Sequence, residues 1–278
     1  MSIILTIFAN YKQFFIMQKK VKRKRKTKLN IGRFLVLYSL GYSDRKIAEH
    51  FKVSVSNVAY LRHTILKLSP IKESYVLNKE QEEIIVGTLL GDSYIGYVHN
   101  DCLYPNLTFS HCKKQELYAK QKFNKLKNIM SSITERQYHK TAIIKGRFCK
   151  LQPVLYARSR NCKCLEKYRT IFYPEGKKII PIDFLEKTFT AQSLAYLFMD
   201  DGCKNQESYN LNLQCFEIEN LYQFTDFLRR KFNLEFIVKK DKTLYLRYKS
   251  VKTFENLIFN YLTQDMMYKF HSSHLKTS

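Results

Sequence analysis

The sequence predicts an α+β fold in which two pseudo-symmetric αββαββα halves follow a small all-α unit. Three observations point there. Two short apolar runs, one at residues 84–92 (IIVGTLLGD) and one at 194–202 (LAYLFMDDG), end on the same acidic punctuation. Each run is followed by strand-like and helical stretches in a similar order, as an internal duplication requires. Ahead of both, residues 43–62 carry the apolar spacing of two short helices joined by a tight turn.

Residues 17–28 hold the basic run Lys19-Lys20-Val21-Lys22-Arg23-Lys24-Arg25-Lys26, whose like charges repel and which lacks apolar anchors. A tail over 1–28 is expected to stay disordered until it meets a polyanion. Met17 is an alternative start, which would make residues 1–16 read-through. From Leu29 the pattern turns helical, with Phe34, Leu35, Val36, Leu37 and Leu40 before a stop at Gly41. Ser43 caps a helix carrying Ile47, Ala48 and Phe51, and Ser54 caps another carrying Val58 and Leu61. Lys52 falls where the turn between them needs a left-handed residue, usually Gly, at a cost of about 1 kcal/mol. Ser69-Pro70 breaks this unit off, giving an all-α domain over 29–70.

Residues 71–78 read as a linker into the first acidic run. Strands are then predicted over 94–98 and 103–111, a helix over 115–129, strands within 135–144 and 147–158, and a helix over 165–172. After the second run come a strand over 211–216, a helix over 218–231, strands over 234–239 and 243–249, and a final helix over 251–262. The halves therefore occupy 71–188 and 189–278.

Composition narrows the partners. With 45% hydrophobic and 14% aromatic residues the chain is globular, and its 48 Lys and Arg against 24 Asp and Glu leave a formal charge of +24. Such a surface neutralises phosphates and releases their counterions, so nucleic acid is the default partner. A membrane surface or a ribosome would also suit the charge, but neither explains the acidic runs. No stretch is apolar for long enough to span a bilayer; residues 3–16 come nearest and are interrupted by Asn10, Lys12 and Gln13. Their charge cluster follows rather than precedes them, unlike a secretory signal. The seven Cys are odd in number and scattered, unlike a disulfide framework. Cys162 with Cys164, and His111 with Cys112, lack the spacing of a zinc hairpin. An intracellular setting is expected. Richness in Lys, Ile, Asn, Phe and Tyr without Trp suggests an AT-rich genome: a mitochondrion or plastid first, otherwise the cytoplasm of a low-GC bacterium or a phage host.

The acids themselves invite a cation. The last turn of a helix carries partial negative charge, so a carboxylate there is unfavourable unless something positive arrives. A divalent ion that prefers carboxylate oxygen is the obvious candidate. If the two helices pack side by side, Gly87, Gly91 and Ala195 are small enough to let them approach. Period-two alternation then sets Asn210, Asn212 and Gln214 opposite Leu211, Leu213 and Cys215. Thr243, Tyr245, Arg247 and Lys249 alternate in the same way, as do Asn106, Thr108 and Ser110. A half-solvated antiparallel sheet shows identical alternation. The charge favours polar faces that read base edges, since Asn and Gln can pair bidentately with adenine.

The two runs resemble the paired signatures of the LAGLIDADG homing endonucleases, with Asp92 and Asp201 matching the acid at the eighth position of that pattern. The second copy is the closer match; the first has Gly91 before its acid and Ser93 where the pattern has Gly. The resemblance covers about residues 80–270. It implies a monomeric enzyme whose halves form a saddle on double-stranded DNA, cutting both strands of a long asymmetric target across the minor groove. The cofactor implied is Mg²⁺ or Mn²⁺, the products carry 3′ overhangs, and intron mobility is the outcome. Asp92 and Asp201 are implied as catalytic metal ligands, the backbone carbonyls of Gly91 and Asp200 as additional ligands, and the Asp200 carboxylate as an outer group. Related enzymes place a Lys near the scissile phosphate in each half; segments 176–181 and 264–269 match those positions and imply Lys178 and Lys269. Residues 43–62 resemble a helix-turn-helix unit, whose second helix would present Ser54, Ser56, Asn57, Tyr60 and Arg62 to DNA. Two alternatives stay open. One is an RNA maturase on the same saddle, with intron RNA as partner; the other is a non-catalytic DNA-binding regulator, against which the filled Asp and Lys positions argue.

Overall fold

Asn and Ser side chains start each helix of the first unit, which lies within residues 1–74. The computed structural model describes residues 29–40, 42–68, 75–98, 102, 104–137, 141–144, 147–150 and 152–271. The basic tail over 1–28, the stop at Gly41 and the break and linker at 69–74 lie outside the described residues. Asn30 caps α1 (Ile31–Ser39), Ser43 caps α2 (Asp44–Phe51) and Ser54 caps α3 (Val55–Tyr60), each accepting from a backbone N–H three residues on. Lys52 ends α2 in the left-handed conformation, φ 52° and ψ 47°, where the spacing required it. Phe34, Leu37, Ile47, Ala48, Val58 and Leu61 bury one small core.

Arg62 is a correction. Expected on a DNA-facing surface, it is buried: Nε donates to Asp44 Oδ1 and Oδ2 at 2.8 and 3.0 Å, and Nη1 donates to the Leu68 carbonyl at 2.8 Å. It follows Val58 by one helical turn and so shares the inward face. α3 runs on through it into a π turn, Leu61–Ile65.

The second unit lies within residues 75–278. Its first half comprises α4 (Lys79–Leu90), β1 (Tyr94–Gly96), β2 (Asn106–Cys112), α5 (Glu116–Lys125), β3 (Met130–Arg136), β4 (Thr141–Ile144), β5 (Arg147–Lys150), β6 (Val154–Ser159) and α6 (Glu166–Phe172). After α7 (Ile182–Thr188) the second half comprises α8 (Ala191–Asp201), β7 (Gly202–Asn205), β8 (Ser208–Leu211), α9 (Ile218–Phe232), β9 (Phe236–Val238), β10 (Leu244–Leu246) and α10 (Val251–Ile258). The antiparallel sheets run β1-β2-β6-β3 and β7-β8-β10-β9, the same order in both halves, with β4-β5 as a separate hairpin. One apolar core serves both halves, from Ile85, Leu89 and Leu107 to Phe198, Tyr209 and Phe254. No described helix is long and apolar enough to cross a membrane.

α4 and α8 carry the two acidic runs and meet where only glycine fits. A Cβ on Gly87 would lie 2.2 Å from the Ser193 carbonyl oxygen, and one on Gly91 would lie 2.5 Å from Asp200 Cβ. Asn78 and Gln81 cap α4 reciprocally, and Thr190 caps α8.

Several boundaries move. The strand expected over 211–216 is instead the hairpin β7–β8, which starts at Gly202 and ends at Leu211; Gln214 therefore lies in a turn beyond it. Left-handed Gln206 makes that tight turn without the Gly that usually announces one. The strands over 234–239 and 243–249 shorten to β9 and β10, leaving Arg247 past the end of β10 and Lys249 in a 3₁₀ turn. β3 starts at Met130, ahead of the strands expected within 135–144, and α7 has no counterpart among the sequence expectations.

Candidate active site at the paired helix ends

Because α4 and α8 pack side by side, their C-terminal ends deliver Asp92 and Asp201 to one place. Asp92 is crowded by its neighbours but keeps part of its carboxylate open to solvent, and Asp201 is half-buried. Burial, then the Asp200 charge, pushes the Asp92 carboxyl up to about 6, against the opposing pull of Lys122, Lys269 and Lys178. Burial, then Asp92 and Asp200, pushes Asp201 up to about 7, with Lys178 and Lys269 opposing. Each acid thus sits where its negative charge is poorly accommodated by the protein alone.

Lys178 and Lys269 take equivalent places in the two halves. Lys178 Nζ donates to the carbonyls of Gly91 at 2.9 Å and Ser93 at 3.4 Å. Lys269 Nζ donates to the carbonyls of Met199 at 2.6 Å and Asp200 at 3.1 Å. Each ammonium therefore meets the negative end of one acidic-run helix, which offsets part of the cost of an acid there. Burial pulls both lysines below their ordinary range. The Gly91 and Asp200 carbonyls, expected as extra metal ligands, each accept a lysine proton and keep one lone pair over.

The Asp200 side chain faces inward. Its Oδ1 accepts from Lys122 Nζ at 2.8 Å and Tyr118 Oη at 2.6 Å; its Oδ2 accepts from Thr88 Oγ1 at 2.5 Å and the Asp92 N–H at 3.3 Å. Both members of the Lys122–Asp200 pair are fully buried. Burial alone would raise the Asp200 carboxyl, but Lys122 and its bonded neighbours hold it below the carboxylate range. Lys122 also donates to Thr88 Oγ1 at 2.8 Å, and Thr88 meets Ser93 Oγ at 2.7 Å. This network fixes the ends of both helices.

His111 completes the cluster. Its Nδ1 lies 3.6 Å from Asp92 Oδ2 and its Nε2 lies 3.7 Å from Asp200 Oδ1, so neither nitrogen makes a hydrogen bond to them. Nε2 is buried with no hydrogen-bond partner. Burial, reinforced by Lys122 and opposed by Asp200, pulls the imidazole down to about 3, so it is neutral. Ligand atoms of Asp92, His111 and Asp200 all lie within 4.8 Å of one another. Sequence reading missed His111, Lys122, Tyr118 and Thr88. The available signal was a histidine on the inward, otherwise apolar face of β2, in line with Leu107 and Phe109.

The expected DNA-reading residues divide. Ser110 and Gln214 are exposed, Thr108, Asn210 and Tyr245 half-buried, and Arg247 and Lys249 exposed with ion pairs to Glu235 at 3.7 and 2.5 Å. Asn106 is buried and donates to Asn161 Oδ1 at 3.3 Å, and Thr243 is buried with its hydroxyl on Asp241 at 2.7 Å. Asn212 braces the acid: its backbone N–H and Nδ2 both donate to the Asp201 carbonyl, at 2.8 and 3.0 Å. These three are corrected to supporting positions. In the first unit Ser54, Ser56, Asn57 and Tyr60 are exposed.

A model of the LAGLIDADG DNA endonuclease family matches residues 82–257. A "Probable intron-encoded endonuclease 1" of Wickerhamomyces canadensis is 30% identical over 210 residues, covering 71% of this chain and 87% of the relative. Among solved structures, the homing endonuclease I-WcaI bound to its DNA recognition sequence superposes with a TM-score of 0.61 at 28% identity, covering 76% of this chain and 97% of that one.

Proposed function

The chain belongs to the LAGLIDADG DNA endonuclease family and is a site-specific DNA endonuclease, and on that footing we propose that it cuts both strands of one long asymmetric duplex, with Asp92 and Asp201 holding the divalent ions. The observation that carries this reading is the pair of acids at adjoining helix ends, each raised well above its ordinary value. A cation would relieve that repulsion, and exposed carboxylate oxygen suits Mg²⁺ or Mn²⁺. The bound ion would supply Lewis acidity at the phosphate. Asp92 and Asp201 must lose their protons to hold it. Lys178 and Lys269, anchored on the neighbouring carbonyls, are placed to offset charge that develops on the phosphate oxygens. Thr108, Ser110, Asn210, Gln214, Tyr245, Arg247 and Lys249 contact the duplex from the two halves. The protein acts as a monomer, because one chain supplies both acids. Intron mobility in an organelle fits the AT-rich composition and the intron-encoded relative.

Purified protein is expected to linearise a plasmid carrying its intronless insertion site with Mg²⁺, and to bind that duplex more tightly than the corresponding intron RNA at matched salt. A B-form major groove admits side chains from strands; an A-form RNA major groove does not. Promotion of splicing without any cleavage of that plasmid would favour the maturase reading instead.

The first unit extends the contact, with Ser54, Ser56, Asn57 and Tyr60 facing DNA from a helix-turn-helix. It has a core of its own, separate from that of the second unit. Deleting residues 1–74 should shorten the footprint and flatten the salt dependence of binding, yet leave a core that still cuts. An unchanged footprint would assign this unit another partner.

A further inference from the structure

The two halves differ under their matching acids. Tyr94 pairs with Thr108 and Gly202 with Leu211, so continuing each ladder sets Ser110 across from Asp92 and Asn212 across from Asp201. His111 is then matched by Leu213, which is fully buried. Along the acidic runs Thr88 is matched by Leu197, Ser93 by Gly202, and Asp200 by Gly91. His111, Thr88, Ser93 and Asp200 thus each have an apolar or glycine counterpart in the other half. Of the two matching acids, Asp92 has an imidazole nitrogen beside it, and Asp201 has a leucine at the equivalent position.

We propose that His111 is a nitrogen ligand to the ion held at Asp92, oriented by Asp200, so that the first half binds its ion through mixed nitrogen and oxygen donors while the second uses oxygen alone. The inference rests on the reading of Asp92 as a metal ligand. The 3.6 Å between His111 Nδ1 and Asp92 Oδ2 is too long for a hydrogen bond, yet suits two donors sharing one ion through bonds of about 2.1 Å. On the far side, the orphaned Nε2 faces Asp200 Oδ1 at 3.7 Å. A ligating histidine commonly donates its second nitrogen to a carboxylate in this way, which fixes the tautomer and leaves the other lone pair for the ion. Asp200 is rigidly held for the task by Lys122, Tyr118 and Thr88. Nitrogen favours Mn²⁺ over Mg²⁺, so the halves should differ in ion preference.

The test is pulsed electron paramagnetic resonance of Mn²⁺ added to the full chain on the duplex it cleaves. The proposal expects modulation from a directly coordinated ¹⁴N, changing to the ¹⁵N pattern when the histidines alone are labelled, which needs no substitution. The signal should persist in Asp201→Asn and vanish in Asp92→Asn and in His111→Leu, which installs the residue type of the other half. In an Asp201→Asn background, His111→Leu should weaken Mn²⁺ about tenfold or more, and Mg²⁺ by less than about threefold. Mn²⁺ that binds in an Asp92-dependent way without nitrogen modulation overturns the role of His111 and leaves Asp92 a ligand. Binding indifferent to Asp92→Asn overturns the ligand reading of Asp92, and this inference with it.

Discussion

Asp92→Asn and Asp201→Asn are each expected to abolish double-strand cleavage, by about 10³-fold or more, while shifting affinity for the target duplex by no more than about threefold. Affinity comes from basic and polar surface spread over both halves, whereas each acid serves one ion. Nicking assays and gel shifts with Mg²⁺ measure both; wild-type cleavage by either variant would remove that acid from catalysis. The same changes have a second, opposite effect. Asp92 and Asp201 lie at about 6 and 7 in the folded protein against an ordinary 3.8, so the folded chain holds protons that the unfolded chain has already released. That stabilisation is complete below about 3.8 and is lost as pH rises through 6 and 7. Metal-free wild type should therefore melt below the double Asn variant at about pH 8, with the gap closing toward about pH 4, and Mg²⁺ should raise the melting temperature of wild type alone. Equal melting at the higher pH would contradict the raised values.

Lys122→Met should destabilise the protein by about 3–5 kcal/mol, because it leaves the fully buried Asp200 carboxylate without its ion partner. Urea unfolding measures the loss. Adding Asp200→Asn to Lys122→Met should recover part of it, since the uncompensated charge is then gone, and a double-mutant cycle isolates the pair. A cost under about 1 kcal/mol would mean that the pair does not anchor the helix ends.

What could be read from the sequence was what local pattern dictates. The two acidic runs, the lysines that follow them, the caps at Ser43 and Ser54 and the strained Lys52 are all signals within a few residues of each other. The paired sheets were only partly legible. β7–β8 turns on a left-handed Gln206 rather than Gly, so nothing local marks the hairpin, and the alternation points to a strand over 211–216 where β8 ends at Leu211. Arg62 looked like a surface cation because a charged residue in a polar helix usually is one; its burial depends on Asp44, eighteen positions back. The Lys122–Asp200 pair joins α5 to the end of α8 across the two halves, and no periodicity within either segment announces it. His111 was visible only as an exception on an inward strand face.

The glycine contact between α4 and α8 also bears on how such a gene can change. With Gly91 replaced by any larger residue, the new side chain would begin 2.5 Å from Asp200 Cβ. An aspartate is therefore admissible at this position of one run only while the other keeps its glycine. Duplicating the second half, or overwriting the first with it by gene conversion, would bring two such aspartates face to face and exclude this packing. The asymmetry therefore runs one way: the second half fits its sibling and would not fit a copy of itself.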